Sequence, residues 1–478
     1  MNLRFTILAS ALGTLLAGCA GRPAGKSYEL VITHANVVEV ETGTLRPDQT
    51  IGIREGRIVH LGKTGATSVP AQRTLDAQGR YLIPGLWDMH VHFRGGEALT
   101  TANRNLLPLY LAHGVTTVRD AGGDLTPAIF RWRQQLAAGE LAGPRIFTSG
   151  PKLDGPKPTW AGSLEIETPA QIDRALDSLQ KLQVDYVKLY ESTISRDAFL
   201  GAIAAAQKRG MTTTGHMPYS VTLREAAERG LDATEHLYYV LKACSNREDS
   251  ITAAVQASLK TSQPLGLFAV LPAVYRTYDP AVAAQTYRLL VARRTAVVPT
   301  LYIQKLLTEL PATDHARDSM LAYIAPDIQA TYARRLASAR QQSAATRAFN
   351  QQLSARFRSL VQPLQAAGVT LLAGSDSGPF NSYVYPGASL LGELELLVEA
   401  GLTPAQALQA ATINGARFLK ADQRSGTIAV GKEADLVLLH QNPLADIRNL
   451  RQIHTVISRG RVYSAAELRR LVQAVRQP

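Results

Sequence analysis

The chain has 478 residues and a formal net charge of +12, with 51 Lys and Arg against 39 Asp and Glu. Hydrophobic residues make up 46% and charged residues 19%, a balance that excludes an intrinsically disordered chain. The basic excess is spread along the sequence and two cysteines are too few for a disulfide framework, so neither nucleic-acid binding nor a disulfide-stapled fold is expected.

The N-terminal segment is predicted to be a signal peptide. Arg4 precedes an apolar stretch from Phe5 to Ala17, which is too short to span a bilayer but has the length of a signal-peptide core. The stretch runs into the letters LAGC and resembles a bacterial lipoprotein signal, which implies cleavage before Cys19 and lipid on its sulfur. An ordinary secretory signal is the alternative. Residues 1–18 are therefore predicted as signal peptide and residues 19–27 as a tether.

The lipoprotein resemblance also implies a location. The residues that follow Cys19 are small and not acidic, which implies an outer-membrane anchor facing the periplasm. The membrane would then be contacted only through the lipid on Cys19, because the rest of the sequence contains no apolar run of about 20 residues.

Residues 84–418 are predicted to form a (β/α)8 TIM barrel of the α/β class. A short apolar run followed by a helix-like segment recurs eight times, and near-continuous apolar strands that alternate with helices favour a parallel sheet covered on both faces. The runs are Tyr81–Trp87, Val115–Arg119, Arg145–Thr148, Val184–Leu189, Met211–Gly215, Leu231–Thr234, Ala296–Leu301 and Val369–Ala373. Residues 305–367 are too long for a usual connection and are predicted to be a helical insertion near the barrel mouth.

The two flanking regions have a different pattern. Residues 28–83 and 419–465 contain alternating apolar and polar positions with turn residues between them, as antiparallel strands do. Neither region is long enough to be a complete domain. We therefore predict that they are two parts of one small β-sandwich built from both ends of the barrel, and that residues 466–478 form a C-terminal helix.

Six side chains that can bind a metal or be activated by one lie at the predicted carboxyl ends of barrel strands, where the active sites of such barrels are found. They are His90, His92, Lys188, His216, His236 and Asp376. His90 and His92 are two residues apart on one strand, so both imidazoles point to the same side. A single strand-end His or Asp is more often a structural hydrogen-bonding group, but the combination predicts a site for Zn²⁺ or a related ion.

The order of these residues resembles the amidohydrolase superfamily, in which an HxH pair, a Lys, two His and an Asp follow strands one, four, five, six and eight. The letters LIPGLWDMH at the entry to the barrel and GTIAVGKEAD after it resemble the same superfamily. The segments TTVRDAGG, GHMPYSVTLREAAERGLDATEHL and GSDSG are similar to its imidazolonepropionase-related group, which includes metal-dependent dipeptidases of the Xaa-Pro (prolidase-like) and Xaa-Arg/Lys types.

The resemblance implies two divalent metal ions, expected to be zinc, bridged by Lys188 carboxylated with CO₂. It implies that His90, His92 and Asp376 hold one ion and that His216 and His236 hold the other. A metal-bound hydroxide would attack a C–N amide bond of a dipeptide or an N-acyl amino acid. Asp376 would be the catalytic residue that moves the proton to the leaving nitrogen.

Other activities and contacts stay open at the level of sequence. The same ligands suit hydrolysis or deamination of cyclic amides, lactones or heterocycles, including a one-metal variant with unmodified Lys188, and a non-enzymatic binding barrel is a third alternative. Tyr190, Tyr219 and Tyr238 are candidates for substrate contacts or for aromatic packing at the barrel rim. Arg119 is a candidate for binding a substrate carboxylate or for an ion pair with Asp120. The oligomeric state is not predicted, and a homo-oligomer stays open.

Overall fold

The computed structural model describes residues 27–65 and 70–477. The predicted signal peptide, Cys19 and all of the tether except its last residue lie outside these ranges. Over the described ranges, no helix combines the length and the apolar character needed to cross a bilayer.

The described residues form a mixed α/β structure in which strands and helices alternate along most of the chain. The strands are β1 Tyr28–Glu39, β2 Thr44–Arg54, β3 Arg57–Lys63, β4 Ala71–Asp76, β5 Tyr81–Pro84, β6 Leu86–Val91, β7 Val115–Asp120, β8 Arg145–Thr148, β9 Leu153–Asp154, β10 Leu164–Glu165, β11 Val187–Leu189, β12 Thr213–Gly215, β13 Ala233–Glu235, β14 Ala296–Val298, β15 Leu436–Leu439, β16 Ile453–Ser458 and β17 Arg461–Ser464.

The helices cover the parallel strands and build the insertion and the C-terminus. They are α1 Thr100–Asn105, α2 Leu107–Ala112, α3 Thr126–Ala138, α4 Pro169–Lys181, α5 Arg196–Lys208, α6 Leu223–Arg229, α7 Tyr238–Ala243, α8 Glu248–Ser258, α9 Leu267–Arg276, α10 Pro280–Arg293, α11 Leu301–Glu309, α12 Pro326–Arg340, α13 Ala344–Ala366, α14 Ala388–Glu399, α15 Pro404–Ala410, α16 Ile413–Phe418 and α17 Ala465–Gln473. Short 3₁₀ helices span Glu97–Leu99, Ser319–Tyr323 and Ile447–Arg451.

Both ends of the chain contribute to a single eight-stranded sheet. Its order is β17-β16-β15-β5-β1-β2-β3, and β4 pairs with β1 outside this path. The antiparallel pairing of β5 with β15 joins the N-terminal strands to the C-terminal ones. The sheet has its own apolar core, which includes Ile32, Ile51 and Leu436. Residues from the two ends therefore fold as one unit, in one continuous hydrogen-bonded sheet.

The remaining strands pair in parallel, in the order β6-β7-β8 and β10-β9-β11-β12-β13-β14. The first predicted run is divided at Gly85, since β5 belongs to the eight-stranded sheet and β6 to the parallel strands. A Cβ atom at Gly85 would lie 2.0 Å from Thr116 Oγ1, so the chain crosses from one sheet to the other where only glycine fits.

The eighth predicted run, Val369–Ala373, does not form a regular strand. Instead, single parallel bridges join Leu371 to Val297 and Ser377 to Val91. Directly after the run, Gly374 packs on His90 and Asp376 adopts a left-handed φ of 59°, so the segment cannot continue as a regular ladder beyond Ala373. The segment still lies between the last parallel strand and the first, and this position brings Asp376 to the histidines of β6.

The region predicted as a helical insertion is helical in the structure. Helices α11 to α13 occupy most of residues 301–366 and pack through apolar side chains such as Leu310, Ile328 and Tyr332. The main core beneath them is one large cluster that runs from the parallel strands to the surrounding helices. This arrangement places the insertion at the edge of the site described next.

Candidate metal centre

His90 and His92 on and just after β6 present two nitrogen lone pairs to the same point. Their Nε2 atoms are 3.2 Å apart. His90 Nδ1 donates to Glu235 Oε2 at 2.7 Å, and His92 Nδ1 donates to the carbonyl oxygen of Gly122 at 3.1 Å. Because a carboxylate and a carbonyl only accept, each ring carries its proton on Nδ1. Two unprotonated Nε2 atoms then face each other, an arrangement that a cation stabilises.

His216 and His236 repeat this arrangement beyond β12 and β13. Their Nε2 atoms are 3.1 Å apart. His236 Nδ1 lies 2.6 Å from Thr300 Oγ1, and His216 Nδ1 lies 3.4 Å from Glu191 Oε1. Oxygen partners at the outer nitrogen are what metal-bound histidines use to fix their orientation.

Asp376 lies between the two histidine pairs. Its Oδ1 is 3.2 Å from His92 Nε2 and 3.6 Å from His90 Nε2, whereas its Oδ2 is 4.0 Å from His236 Nε2. The amide of Asn381 donates to Asp376 Oδ1 at 2.7 Å and holds the carboxylate in place. One carboxylate thus reaches both halves of the site.

Among the residues that the structure describes, two groups of three have ligand atoms that all lie within 4.8 Å of one another. The first group is His90, His92 and Asp376, the set expected for one ion. The second group joins His90 to His216 and His236, so the structure adds one imidazole to the expected pair. Burial lowers the pKa of all four histidines, that of His90 to about 3, and the neutral imidazole is the form that binds a metal.

Lys188 on β11 is fully buried beside this centre. Its Nζ lies 3.5 Å from Glu235 Oε1, and over the described residues it has no hydrogen-bond partner. Burial lowers the pKa of Lys188 to about 8, although the nearby carboxylate of Glu235 opposes that shift. A larger fraction of its amine is therefore neutral at a given pH than for an exposed lysine.

Glu235 is the residue of the site that the sequence analysis missed. Besides His90 and Lys188 it contacts Arg119, whose guanidinium donates to Oε1 at 2.7 Å, and the hydroxyl of Thr214. Although burial alone would raise it, Arg119, Lys188 and His90 hold the pKa of Glu235 well below its usual range. An acid directly before His236, at the end of a short strand that is predicted to be buried, was the signal that could have identified it.

The structure places Arg119 away from any substrate. Its side chain is 0% exposed and lies over the rings of Tyr186 and Phe418, and its Nε donates to the carbonyl of Met89 at 2.5 Å. The structure gives no support to the substrate contact considered for Arg119, because the residue pairs with Glu235 in the interior and does not line the cavity beside the centre. The ion pair with Asp120 is not formed either, because Asp120 accepts the hydroxyl of Thr148 instead.

Three residues of the site have left-handed backbone conformations. His236, Thr300 and Asp376 have φ values of 60°, 49° and 59°, which are left-handed conformations that cost energy outside glycine. Each of them aims a polar side chain at the centre from the end of a strand. Asp88 holds the residue that precedes Asp376, since its carboxylate accepts hydrogen bonds from the backbone N–H and the hydroxyl of Ser375.

A cavity of about 240 Å³ opens beside the centre. It is lined by His216, His236, Asp376, Tyr190, Glu191, Leu237, Tyr238, Tyr239, Leu267, Phe268, Pro299, Thr300, Ile303, Gln304, Leu307 and Phe357.

Two of the tyrosines considered for substrate contacts, Tyr190 and Tyr238, border this cavity, and the hydroxyl of Tyr238 donates to Gln304 at 2.7 Å. Tyr219 does not line this cavity, and its hydroxyl donates to the carbonyl of Tyr238. Leu307 and Phe357 come from the helical insertion, which closes one side.

Comparison with protein families gives one assignment. The model of the Amidohydrolase family matches residues 81–463. An adenine deaminase of Ruegeria pomeroyi is 29% identical over 206 residues, which is 42% of this chain and 33% of that protein. The chain thus spans about a third of the length of this curated relative.

Two solved structures are similar over nearly the whole chain. A Xaa-Pro dipeptidase with bound methionine in its active site has a TM-score of 0.66 and 19% identity, and the match covers 91% of this chain and 99% of that one. A bottromycin amidohydrolase has a TM-score of 0.70 and 21% identity, covering 93% and 90%. At these identities the likeness shows a shared fold, a barrel with an additional domain.

The hydrogen bonds of Glu235 lead to a prediction for metal binding. Glu235→Gln should lower metal affinity about 10- to 100-fold, because an amide cannot replace the charge that orients His90 and balances Arg119. Metal content measured during titration with a chelator tests this. Glu228→Gln, an exposed acid on α6, is the matched control and should bind metal as the unaltered protein does. Unchanged affinity in Glu235→Gln would contradict the role given to Glu235.

Proposed function

Because the chain belongs to the amidohydrolase family, we propose that it is a metal-dependent hydrolase that cleaves a C–N amide bond of dipeptides or N-acyl amino acids. The observation that carries this proposal is the arrangement of four histidines whose Nε2 atoms face one another in pairs, with the carboxylate of Asp376 between them. An adjoining cavity with both aromatic and polar walls offers room for a small substrate.

The residues present fit a pair of divalent ions. His90, His92 and Asp376 would hold one ion, and His216 and His236 would hold the other, with a carboxylated Lys188 between them. Imidazole and carboxylate ligands are typical of zinc, which we propose as the metal. When bound, such ions lower the pKa of water and polarise the carbonyl of the bond to be cleaved.

Lys188 suits carboxylation because its amine is buried, has a pKa of about 8, and over the described residues lacks a hydrogen-bond partner. A neutral amine reacts with CO₂ by forming an N–C bond and releasing one proton to solvent, which gives a carbamate with two oxygens attached through the retained nitrogen. Glu235 opposes this modification, since it stabilises the ammonium form at 3.5 Å. Carboxylation of Lys188 therefore depends on cations that compensate the added negative charge.

Asp376 is proposed as the residue that moves the proton. Asn381 donates to Oδ1, so Oδ2, which points toward His236, is the oxygen left to accept a proton. A carboxylate at this position can accept a proton from the attacking water and then donate it to the leaving nitrogen. Both transfers use the same oxygen, so no second acid is required.

A second candidate activity is deamination or hydrolysis of a heterocycle or cyclic amide. The similarity to an adenine deaminase over 42% of the chain favours it. The likeness of the fold to a Xaa-Pro dipeptidase over 91% of the chain supports dipeptides instead. We place dipeptides and N-acyl amino acids first because the cavity borders several tyrosines that can hold a flexible amide.

The finer architecture belongs to the same proposal. We propose that the parallel strands close as a (β/α)8 barrel over residues 84–418, and that the continuous sheet of residues 28–83 and 419–465 folds over its own apolar core as a small β-sandwich. The single bridges at Leu371 and Ser377, which link β14 and β6 through the eighth segment, support closure.

The location is proposed from the sequence alone. The apolar stretch that ends before Cys19 supports a lipid anchor in the outer membrane, facing the periplasm. In fractionated bacterial cells the full chain should stay with the membranes, and Cys19→Ala should release it or leave it unprocessed. A full chain that is soluble with Cys19 intact would contradict the anchor.

The activity is tested with a library of dipeptides and N-acyl amino acids scored by mass spectrometry. The chain lacking residues 1–19, supplied with Zn²⁺ and bicarbonate, should cleave a chemically coherent subset. Asp376→Asn should lower kcat about 10²- to 10⁴-fold while the protein still binds zinc. Asp197→Asn, whose side chain is 92% exposed, is the matched control. Failure of the zinc-loaded protein to cleave any member would favour heterocycles and cyclic amides, and a fully active Asp376→Asn would remove the proton-transfer role.

The carbamate is tested separately by ¹³C NMR. Incubation with ¹³C-bicarbonate and Zn²⁺ should give a carbamate resonance that is absent in Lys188→Met, because burial leaves that amine neutral more often than an exposed one. Lys181→Met removes an exposed lysine on α4 and should leave the resonance intact. A spectrum of Lys188→Met identical to that of the unaltered chain would show that Lys188 is not carboxylated.

A further inference from the structure

Two cationic side chains are buried close to the metal centre without an acidic partner. Arg94 follows His92 by two residues and is 5% exposed, and Lys152 follows β8 and is 2% exposed. Over the described residues, neither forms an ion pair with an Asp or Glu within 4.0 Å. The two acids of the metal centre, Asp376 and Glu235, pair with other side chains. Buried charges are normally paired, since removing them from water is costly.

Both cations lie against the same indole ring. The guanidinium of Arg94 is 4.2 Å from the centroid of Trp160, and Lys152 Nζ is 4.8 Å from it. Among the described residues, Lys152 Nζ and Trp160 Nε1 are buried and have no hydrogen-bond partner. Burial and then repulsion from Arg94 lower the pKa of Lys152 to about 7. Arg94 donates to the carbonyl of Pro379 and to Asn381, whereas Lys152 Nζ and Trp160 Nε1 are two buried donors without an acceptor among the described residues.

This cluster is connected to the reaction centre on two sides. Arg94 donates to Asn381 Oδ1 at 2.8 Å, and Asn381 in turn holds Asp376. Lys152 Nζ lies 5.1 Å from the ring of Tyr190, which borders the cavity and is 4.5 Å from the ring of His216. A group bound at the two cations would therefore be separated from the metal centre by Asn381 and Tyr190.

We propose that Arg94 and Lys152 bind a free carboxylate of the substrate, next to the indole of Trp160. This inference rests on the proposed amide hydrolysis and narrows it to dipeptides or N-acyl amino acids with an unblocked C-terminal carboxylate. The carboxylate supplies the missing counter-charge and accepts from the ammonium and the guanidinium together. Esters, C-terminal amides and uncharged heterocycles leave both cations unpaired and are poor substrates.

The test compares each cleaved acid with its C-terminal amide. For the zinc-loaded chain, kcat/KM should be about 100-fold or more higher for the acid, as expected when a charged hydrogen-bonded group is lost. Lys152→Met and Arg94→Met should each lower kcat/KM for acids strongly and for amides little, so that the preference shrinks. Lys157→Met, an exposed lysine on the same loop, is the matched control and should keep it.

A calorimetric measurement provides a readout without turnover. Free product amino acids should bind the zinc-loaded chain more tightly than the corresponding amino acid amides, and Lys152→Met should remove the difference. The comparison of acid with amide on the unaltered chain holds whether or not the variants fold.

Three results would overturn the inference, and they are distinct from one another. Equal cleavage of acids and amides by the unaltered chain would remove the carboxylate subsite and leave amide hydrolysis standing. Cleavage of neither series would refute the proposed function, and the subsite would fall with it. Folded Lys152→Met and Arg94→Met variants that keep the full acid preference would assign carboxylate binding to other residues and would also overturn the proposal.

Discussion

The carboxylate of Glu235 joins groups that would otherwise be incompatible in a dry interior. It balances the buried guanidinium of Arg119, lies 3.5 Å from the amine of Lys188, and accepts the Nδ1 proton of His90. The last contact leaves His90 Nε2 without a proton and aimed at His92. Removing the carboxylate would leave a buried arginine unpaired and free the imidazole to change tautomer. The position of the first histidine of the centre therefore depends on a residue 145 positions further along the chain.

The same principle extends to the other ligands. Each histidine is held at its outer nitrogen by an oxygen atom, and Asp376 is held by Asn381. The left-handed backbone at His236, Thr300 and Asp376 is a cost that the surrounding hydrogen bonds offset. The result at His90 and His92 is a pair of unprotonated nitrogens facing each other, which is unfavourable by itself and becomes favourable with a cation. The arrangement of these side chains is therefore explained by the binding of a cation rather than by the stability of the chain alone.

Charge around the cavity is divided between two places. The metal centre contains the acids and imidazoles, whereas Arg94 and Lys152 lie to one side of it, separated from it by Asn381 and Tyr190. The insertion helices close another side with apolar residues such as Leu307 and Phe357. A substrate with an amide, a carboxylate and an apolar side chain would find a matching surface for each part, and this combination describes an amino acid derivative more closely than a planar base.

The sequence by itself determined the alternation of strands and helices, the helical insertion and the chain order of the candidate ligands, because apolar periodicity and strand-end polar residues are local signals. It overestimated the regularity of Val369–Ala373, which is joined to its neighbour by a single bridge and is followed directly by the close contact at Gly374 and the left-handed Asp376. Only the tertiary structure decided that Arg119 turns inward to Glu235, that His90 belongs to both groups of ligands, and that Arg94 and Lys152 share one indole. These are contacts between residues far apart in sequence, and a charge reveals its role only when the burial and the partners around it are fixed by packing.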